Sequence, residues 1–162
     1  MTYNIKDFEQ DVTSFNKIMG IPDHEGKAFN TQCEIILEEL EELRWAEDQE
    51  ERLDAIVDVL YTSIGLIERA KKFGYDVEGA MKAVAENNMT KFIPNDSKAE
   101  TIITYSEKFY KEEKGKNVKA EFNEEFDCFV LVDQNTGKVN KPVGYKPVDL
   151  KPFLPKQGEK NV

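Results

Sequence analysis

Leu53-Asp54-Ala55-Ile56-Val57-Asp58-Val59-Leu60-Tyr61-Thr62-Ser63-Ile64-Gly65-Leu66-Ile67 is the stretch on which the fold turns. Its only charged residues are Asp54 and Asp58. At about 100° per residue the aliphatic side chains cover most of a helix's circumference, which predicts a largely buried helix. The two aspartates stand four residues apart, within about 40° of each other, and Tyr61, Thr62 and Gly65 continue the same narrow strip. Two like charges on that strip lose solvation and repel each other. No Lys or Arg lies between Arg52 and Arg69 to pair with them locally. The charge is met either by a cationic side chain from another element or by a metal ion, since hard divalent cations collect carboxylate oxygens.

The preceding segment, Leu37-Glu38-Glu39-Leu40-Glu41-Glu42-Leu43-Arg44-Trp45, supplies further oxygen donors. Glu38 and Glu42 are one turn apart, and Glu39 and Glu42 are helical neighbours at three residues. Each like-charge pair of this kind costs an isolated helix about 0.2–0.5 kcal/mol. Alone, these glutamates read as a solvated face turned away from Leu37 and Leu40. Antiparallel to a helix bearing Asp54 and Asp58, they read as the other half of a carboxylate-only site. Such a site suits Mg²⁺, with Mn²⁺ as a substitute, and Mg²⁺ commonly partners substrate phosphates. Metal-assisted phosphoanhydride hydrolysis follows, with a spare carboxylate as general base.

Outward from this pair, Ile5, Phe8, Val12, Phe15 and Met19 recur at steps of three and four, predicting a first helix from Asn4 to Met19 capped by Asn4. Gly20, Pro22, Asp23 and Gly26 break it. The second helix is expected over about Thr31–Trp45, with Cys33, Ile36, Leu37, Leu40 and Leu43 on its core side. Glu47–Glu51 reads as a solvated connection. The third runs Leu53–Lys72 and stops at Gly74, and Asp76 opens a fourth with Val77, Met81 and Val84 inward. Four helices joined by short links predict a four-helix-bundle core over residues 1–94. Residues 95–162 read as an extension on the same domain. It holds a helix over Lys98–Lys114, with Ile102, Ile103, Tyr105 and Phe109 as contacts, then a β-hairpin of Cys128–Val132 and Lys138–Lys141. A surface tail follows with prolines at 142, 147, 152 and 155. The fold class is mostly α.

Composition narrows the function. The 162 residues carry 22 Lys and Arg against 32 Asp and Glu, a net charge of −10, which disfavours sequence-independent binding to nucleic acid. The lone His24, set in the Pro/Gly loop, excludes a His-rich metal centre and reads as an exposed residue. Cys33 and Cys128 form no thiolate-zinc spacing. No apolar run reaches the roughly 18 residues of a membrane span, and the charged N-terminus does not resemble a signal peptide. A soluble, cytoplasmic chain without membrane partners is expected.

Glu38-Glu39-x-x-Glu42-Leu43 followed by Asp58-Val59-Leu60-Tyr61 resembles the all-α NTP pyrophosphatase superfamily, which includes MazG, phosphoribosyl-ATP pyrophosphohydrolase, dCTP pyrophosphatase and dimeric dUTPase-like enzymes. Asn88-Met89-Thr90-Lys91 is similar to an Asn-Met-Ser/Thr-Lys segment of phage and bacterial members, and the resemblance spans roughly Phe8–Phe92. Gly137-Lys138-Val139-x-Lys141-Pro142 looks like a C-terminal feature of the same subgroup. The resemblance implies Glu39, Glu42 and Asp58 as Mg²⁺ ligands, Glu38 as the base that activates water, Lys91 as a phosphate contact and Asn88 as a ligand-orienting residue. Where the family commonly has Glu three residues before the final Asp, this chain has Ala55. Asp54, one residue earlier, is the candidate replacement ligand. A nucleoside triphosphate substrate such as dUTP or dCTP and a homodimer or homotetramer are implied. Two rival readings stand beside this one. One is phosphoribosyl-ATP hydrolysis. The other is a non-enzymatic acidic helical module, which requires Asp54 and Asp58 to pair with Lys or Arg.

Overall fold

The computed structural model describes residues 3–156. Its order is α1 (Ile5–Met19), α2 (Glu25–Trp45), α3 (Gln49–Lys72), α4 (Val77–Met89), β1 (Ile93–Pro94), α5 (Ala99–Lys114), β2 (Val118–Asn123), β3 (Cys128–Asp133), β4 (Val139–Asn140) and a short 3-10 turn at Lys151–Phe153. Among the described residues the chain is mostly α, as expected, with five α-helices and a small antiparallel sheet. No described helix is long and apolar enough to cross a membrane. The described residues divide into two units: residues 3–77 with 153–156, and residues 78–152. The division falls between Val77 and Glu78, in the first turn of α4.

In the first unit, α1 begins where its cap dictates. The Asn4 side chain accepts from the Lys6 N–H while Asp7 reaches back to the Asn4 N–H, a reciprocal capping box. Gly20, at φ 77°, ends it. α2 starts six residues before the expected Thr31, because His24 Nδ1 accepts the Lys27 N–H and caps it. A histidine cap carries no strong sequence signal. α3 likewise starts four residues early. Asp48 caps it by accepting the N–H groups of Glu50 and Glu51, so the supposed acidic linker is mostly first turn.

The packing of α2 on α3 differs from the hydrophobic reading. Leu37 (61% exposed) and Leu40 face outward, as do Leu53, Ile56, Val57 and Leu60 of α3. The buried residues of these helices are instead Ala28, Gln32, Ala55, Thr62, Ile64, Gly65 and Arg69, mostly small or polar. Gln32 Nε2 donates to the Thr62 carbonyl at 2.7 Å, and a Cβ on Gly65 would lie 3.0 Å from that same nitrogen. Small residues let the two backbones approach closely, which leaves the long aliphatic side chains outside. The expected burial of the α3 rod is therefore not met within one chain. On the other side of α3, Tyr61 is gripped edge-on by Phe8 and Phe15, a packing role. Val12 is fully buried there, while Ile5, Phe15 and Met19 of the α1 stripe stay exposed. Arg69 donates to Asn16 Oδ1 at 3.0 Å and to the Gly65 carbonyl at 2.9 Å, and its Nε is buried without a partner.

The second unit is built on β3. It pairs antiparallel with β2 in the register Val118↔Asp133 through Asn123↔Cys128, with β1 at Ile93↔Phe129, and with β4 at Leu131↔Asn140. The β3–β4 hairpin is the expected one. Sequence reading named neither β2, although Val118, Ala120 and Phe122 alternate with Lys119, Glu121 and Asn123, nor β1, which is only two residues long. The core gathers Ile93, Ala99, Val118 and Leu131, with Ile102, Ile103 and Tyr110 packed against it. Tyr105, expected inward on α5, is exposed, as are Met81 and Val84 of α4. Glu107 pins α5 to β2. It accepts the Ala120 N–H at 3.0 Å and meets Lys119 Nζ at 2.6 Å. Partial burial pushes its carboxyl up, but the Lys119 and Ala120 hydrogen bonds and the Lys119 charge hold it below the usual carboxylate range.

Candidate metal centre and active site

The α2–α3 corner sets the register of everything that follows. Asp48 caps α3, and Glu51 Oε2 accepts the Glu47 N–H at 2.9 Å, tying the incoming chain to the first turn. From that corner the helices run antiparallel. Glu42 and Asp54 line one cavity near the turn, and Gln32 meets Thr62 farther along. Glu39 and Asp58 fall between these two crossings. The acidic residues of the two helices are thus brought face to face.

Glu39 sits half-buried at the centre. Burial raises its carboxyl above the ordinary value, and the charges of Asp58, Glu42, Glu38 and Asp54, in that order, raise it further. The four carboxylates acting on Glu39 are the remaining acidic residues of the predicted site. Among the described residues none of the five carboxylates has a hydrogen bond or a Lys or Arg within ion-pair distance. The local hydrogen bonds from Thr62 Oγ1 go to the Asp58 and Val59 carbonyls and leave the carboxylates uncompensated. Asp58 is half-buried, but Asp54, Glu38 and Glu42 are exposed. The expectation that both aspartates lose solvation therefore holds for Asp58 alone. Asp54 lies one turn nearer the corner, where the flanking Leu53 and Ile56 are themselves uncovered.

Among the described residues no three His, Cys, Asp or Glu side chains converge tightly enough to grip a metal as they stand. The donor set still fits a hard divalent ion in kind, being all-oxygen, anionic, uncompensated by protein cations and spread over two helices. A cavity of about 280 Å³ lies beside it, lined by Glu42, Trp45, Ala46, Glu51, Asp54 and Ala55. Glu51 was missed by sequence reasoning, which took it for linker. The Asp48-x-x-Glu51 spacing of a capping sequence was the available signal. Trp45 is exposed on the rim at 70%, with the Arg44 guanidinium 5.2 Å from its ring centre.

Asn88 and Lys91 belong to the second unit, at the end of α4. There the helix tightens. The Asn87, Asn88 and Met89 carbonyls accept the N–H groups of Thr90, Lys91 and Phe92. Lys91 Nζ donates to Asn88 Oδ1 at 2.6 Å, so the two predicted substrate contacts form one polar pair.

Residues 21–88 match the family model described as phosphoribosyl-ATP pyrophosphohydrolase. The matched segment contains α2, α3 and all five carboxylates, and it ends at Asn88. No curated protein and no solved structure matches the chain. Residues 21–88 are thus similar to the phosphoribosyl-ATP pyrophosphohydrolase family of the all-α NTP pyrophosphatase superfamily, whose members are phosphoanhydride hydrolases.

Proposed function

We propose that this protein is a Mg²⁺-dependent nucleoside triphosphate pyrophosphohydrolase that releases a nucleoside monophosphate and pyrophosphate. A (deoxy)nucleotide such as dUTP or dCTP is the proposed substrate. The observation that carries this reading is the set of uncompensated carboxylates facing one another across α2 and α3. Glu39, Glu42, Asp54 and Asp58 would hold the metal, which when bound supplies Lewis-acid polarisation of a phosphoryl oxygen. Mn²⁺ offers the same coordination preferences. Glu38, exposed beside Glu39, would take the proton from the attacking water. Asn88 and Lys91 would bind and orient the phosphates, a point charge and a carboxamide suited to a polyanion.

The exposed aliphatic stripe of Leu37, Leu40, Ile56, Val57 and Leu60 supports a homodimer or homotetramer. We place the enzyme in the cytoplasm, without nucleic-acid or membrane partners. Phosphoribosyl-ATP is the second reading, favoured by the description of the matching family and opposed by the additional sheet-bearing unit at residues 78–152. An acidic interaction module would need cations on Asp54 and Asp58, and none stands there among the described residues.

A pyrophosphate-release screen over dUTP, dCTP, dTTP, dATP, dGTP, the ribonucleotides and phosphoribosyl-ATP, with and without Mg²⁺, tests the assignment. Turnover of a triphosphate only with the metal is the expected result. Turnover of phosphoribosyl-ATP alone moves the protein to the second reading, and no turnover of any of them defeats both.

A further inference from the structure

We propose that Tyr145 is a positioning residue for the substrate-binding end of α4, acting with the Lys146 carbonyl as a clasp on Asn87. Its substrate half rests on the pyrophosphohydrolase reading above. Tyr145 and Asn87 are 58 residues apart in sequence, yet the tyrosine hydroxyl donates to Asn87 Oδ1. From the other side, Asn87 Nδ2 donates to the Lys146 carbonyl at 2.8 Å. Both ends of the carboxamide are thus engaged by the C-terminal segment.

Asn87 is also the residue on which the helix end closes. Its carbonyl accepts both the Thr90 N–H at 3.1 Å and the Thr90 hydroxyl at 2.7 Å. The next residue, Asn88, holds Lys91. Fixing Asn87 therefore fixes the rotation of the last turn, and with it the direction in which the Asn88–Lys91 pair points.

The clasp is itself braced. Tyr110 of α5 donates its hydroxyl to the Lys141 carbonyl at 2.9 Å, and Ser106, fully buried on α5, accepts the Val143 N–H at 2.9 Å. Gly144 turns the chain at φ 94°, the Tyr145 N–H returns to the Pro142 carbonyl, and Lys141 Nζ lies 4.4 Å from the centre of the Tyr145 ring. Pro142 and Pro147 limit the backbone on either side. The segment 141–146 is thus a strap from the α5–sheet core to the end of α4. A role in holding the Asn-Met-Thr-Lys motif explains why Tyr145, a half-buried side chain, has its hydroxyl spent on one asparagine.

The test compares the full-length protein with Tyr145→Phe, Lys91→Ala and the double variant, by steady-state kinetics and by amide hydrogen exchange. Tyr145→Phe is expected to raise KM by about three- to tenfold with kcat nearly unchanged, the effect of losing one hydrogen bond that orients a binding group. Its effect should vanish in the Lys91→Ala background, and exchange at residues 88–92 should quicken. Additive KM effects, or unchanged exchange at 88–92, overturn the proposal. A uniform fall in melting temperature with KM intact would assign the tyrosine to stability alone and overturn it too. A wild-type protein that turns over no triphosphate defeats the pyrophosphohydrolase reading and the substrate half of this one. Faster exchange in Tyr145→Phe would then still establish the clasp.

Discussion

Glu39 carries the tension of the molecule. It is half-buried, its carboxyl is pushed up by desolvation and by four neighbouring carboxylates, and among the described residues no cation relieves it. Because its folded pKa lies above the ordinary value, its contribution to stability is fully present below that value and is lost as pH rises through the raised one. Glu39→Gln removes the charge and keeps the shape. Without divalent metal at pH 7 the variant is expected to melt higher than wild type. Its advantage should shrink as the pH is lowered toward the ordinary glutamate range, and calorimetry across pH 4–8 checks both statements. Activity should fall by at least about a hundredfold, the scale of a lost group that organises charge at a reaction centre. Much of this site was legible in the sequence, because carboxylates at three- and four-residue spacing on two successive helices have few arrangements open to them. Glu51 and the clasp on Asn87 were not. The first is disguised by its acidic neighbours, and the second depends on a contact across 58 residues that no local spacing encodes.

Among the elements, the α2–α3 pair depends on close approach rather than on bulk. Gly65 sits where a Cβ would lie 3.0 Å from Gln32 Nε2 and 3.3 Å from Arg69 Nη1. Neither nitrogen is free to give way. Gln32 is committed to the Thr62 carbonyl and Arg69 to Asn16 and Gly65 itself. Gly65→Ala gains about 1 kcal/mol of helix propensity. Against that, displacing a buried hydrogen bond and overpacking the site cost about 1–3 kcal/mol each. A net loss of about 1–5 kcal/mol is expected, read as a lower urea midpoint with an unchanged slope. An unchanged or raised midpoint would mean that the helices do not approach this closely. The helices themselves were legible because their periodicity is strong. Their starts were not, since His24 and Asp48 cap from within stretches that read as loop and linker. β2 was passed over rather than hidden. Its residues alternate apolar and polar without a break from Val118 to Asn123, but no Gly or Pro separates it from Lys116 and Asn117 to mark where it begins.

For the whole molecule, the apolar pattern points outward. Leu37, Leu40, Leu53, Ile56, Val57 and Leu60 are all more than 40% exposed on two adjoining helices. Sequence reading put Leu37 and Leu40 on a core side of α2 and left the apolar α3 consistent with burial at a subunit interface. Periodicity reports that a stripe is to be buried and not what buries it. A second copy is the expected cover. Light scattering with size-exclusion chromatography should find a dimer or tetramer for wild type. The Leu37→Lys/Leu60→Lys double variant should give a smaller species that retains its helical circular dichroism. A monomeric wild type would contradict the oligomer.

The carboxylate site is where the molecule's function stands or falls, and Mn²⁺ reports on it without any substrate. Titrating Mn²⁺ into the wild-type protein and into Glu39→Gln/Asp58→Asn, with free Mn²⁺ read by electron paramagnetic resonance, is the most direct measurement. Saturable uptake by wild type, competed by Mg²⁺ and lost in a double variant with unchanged circular dichroism, is the predicted result. Equal uptake by both proteins, or none by wild type, would contradict a metal centre between α2 and α3.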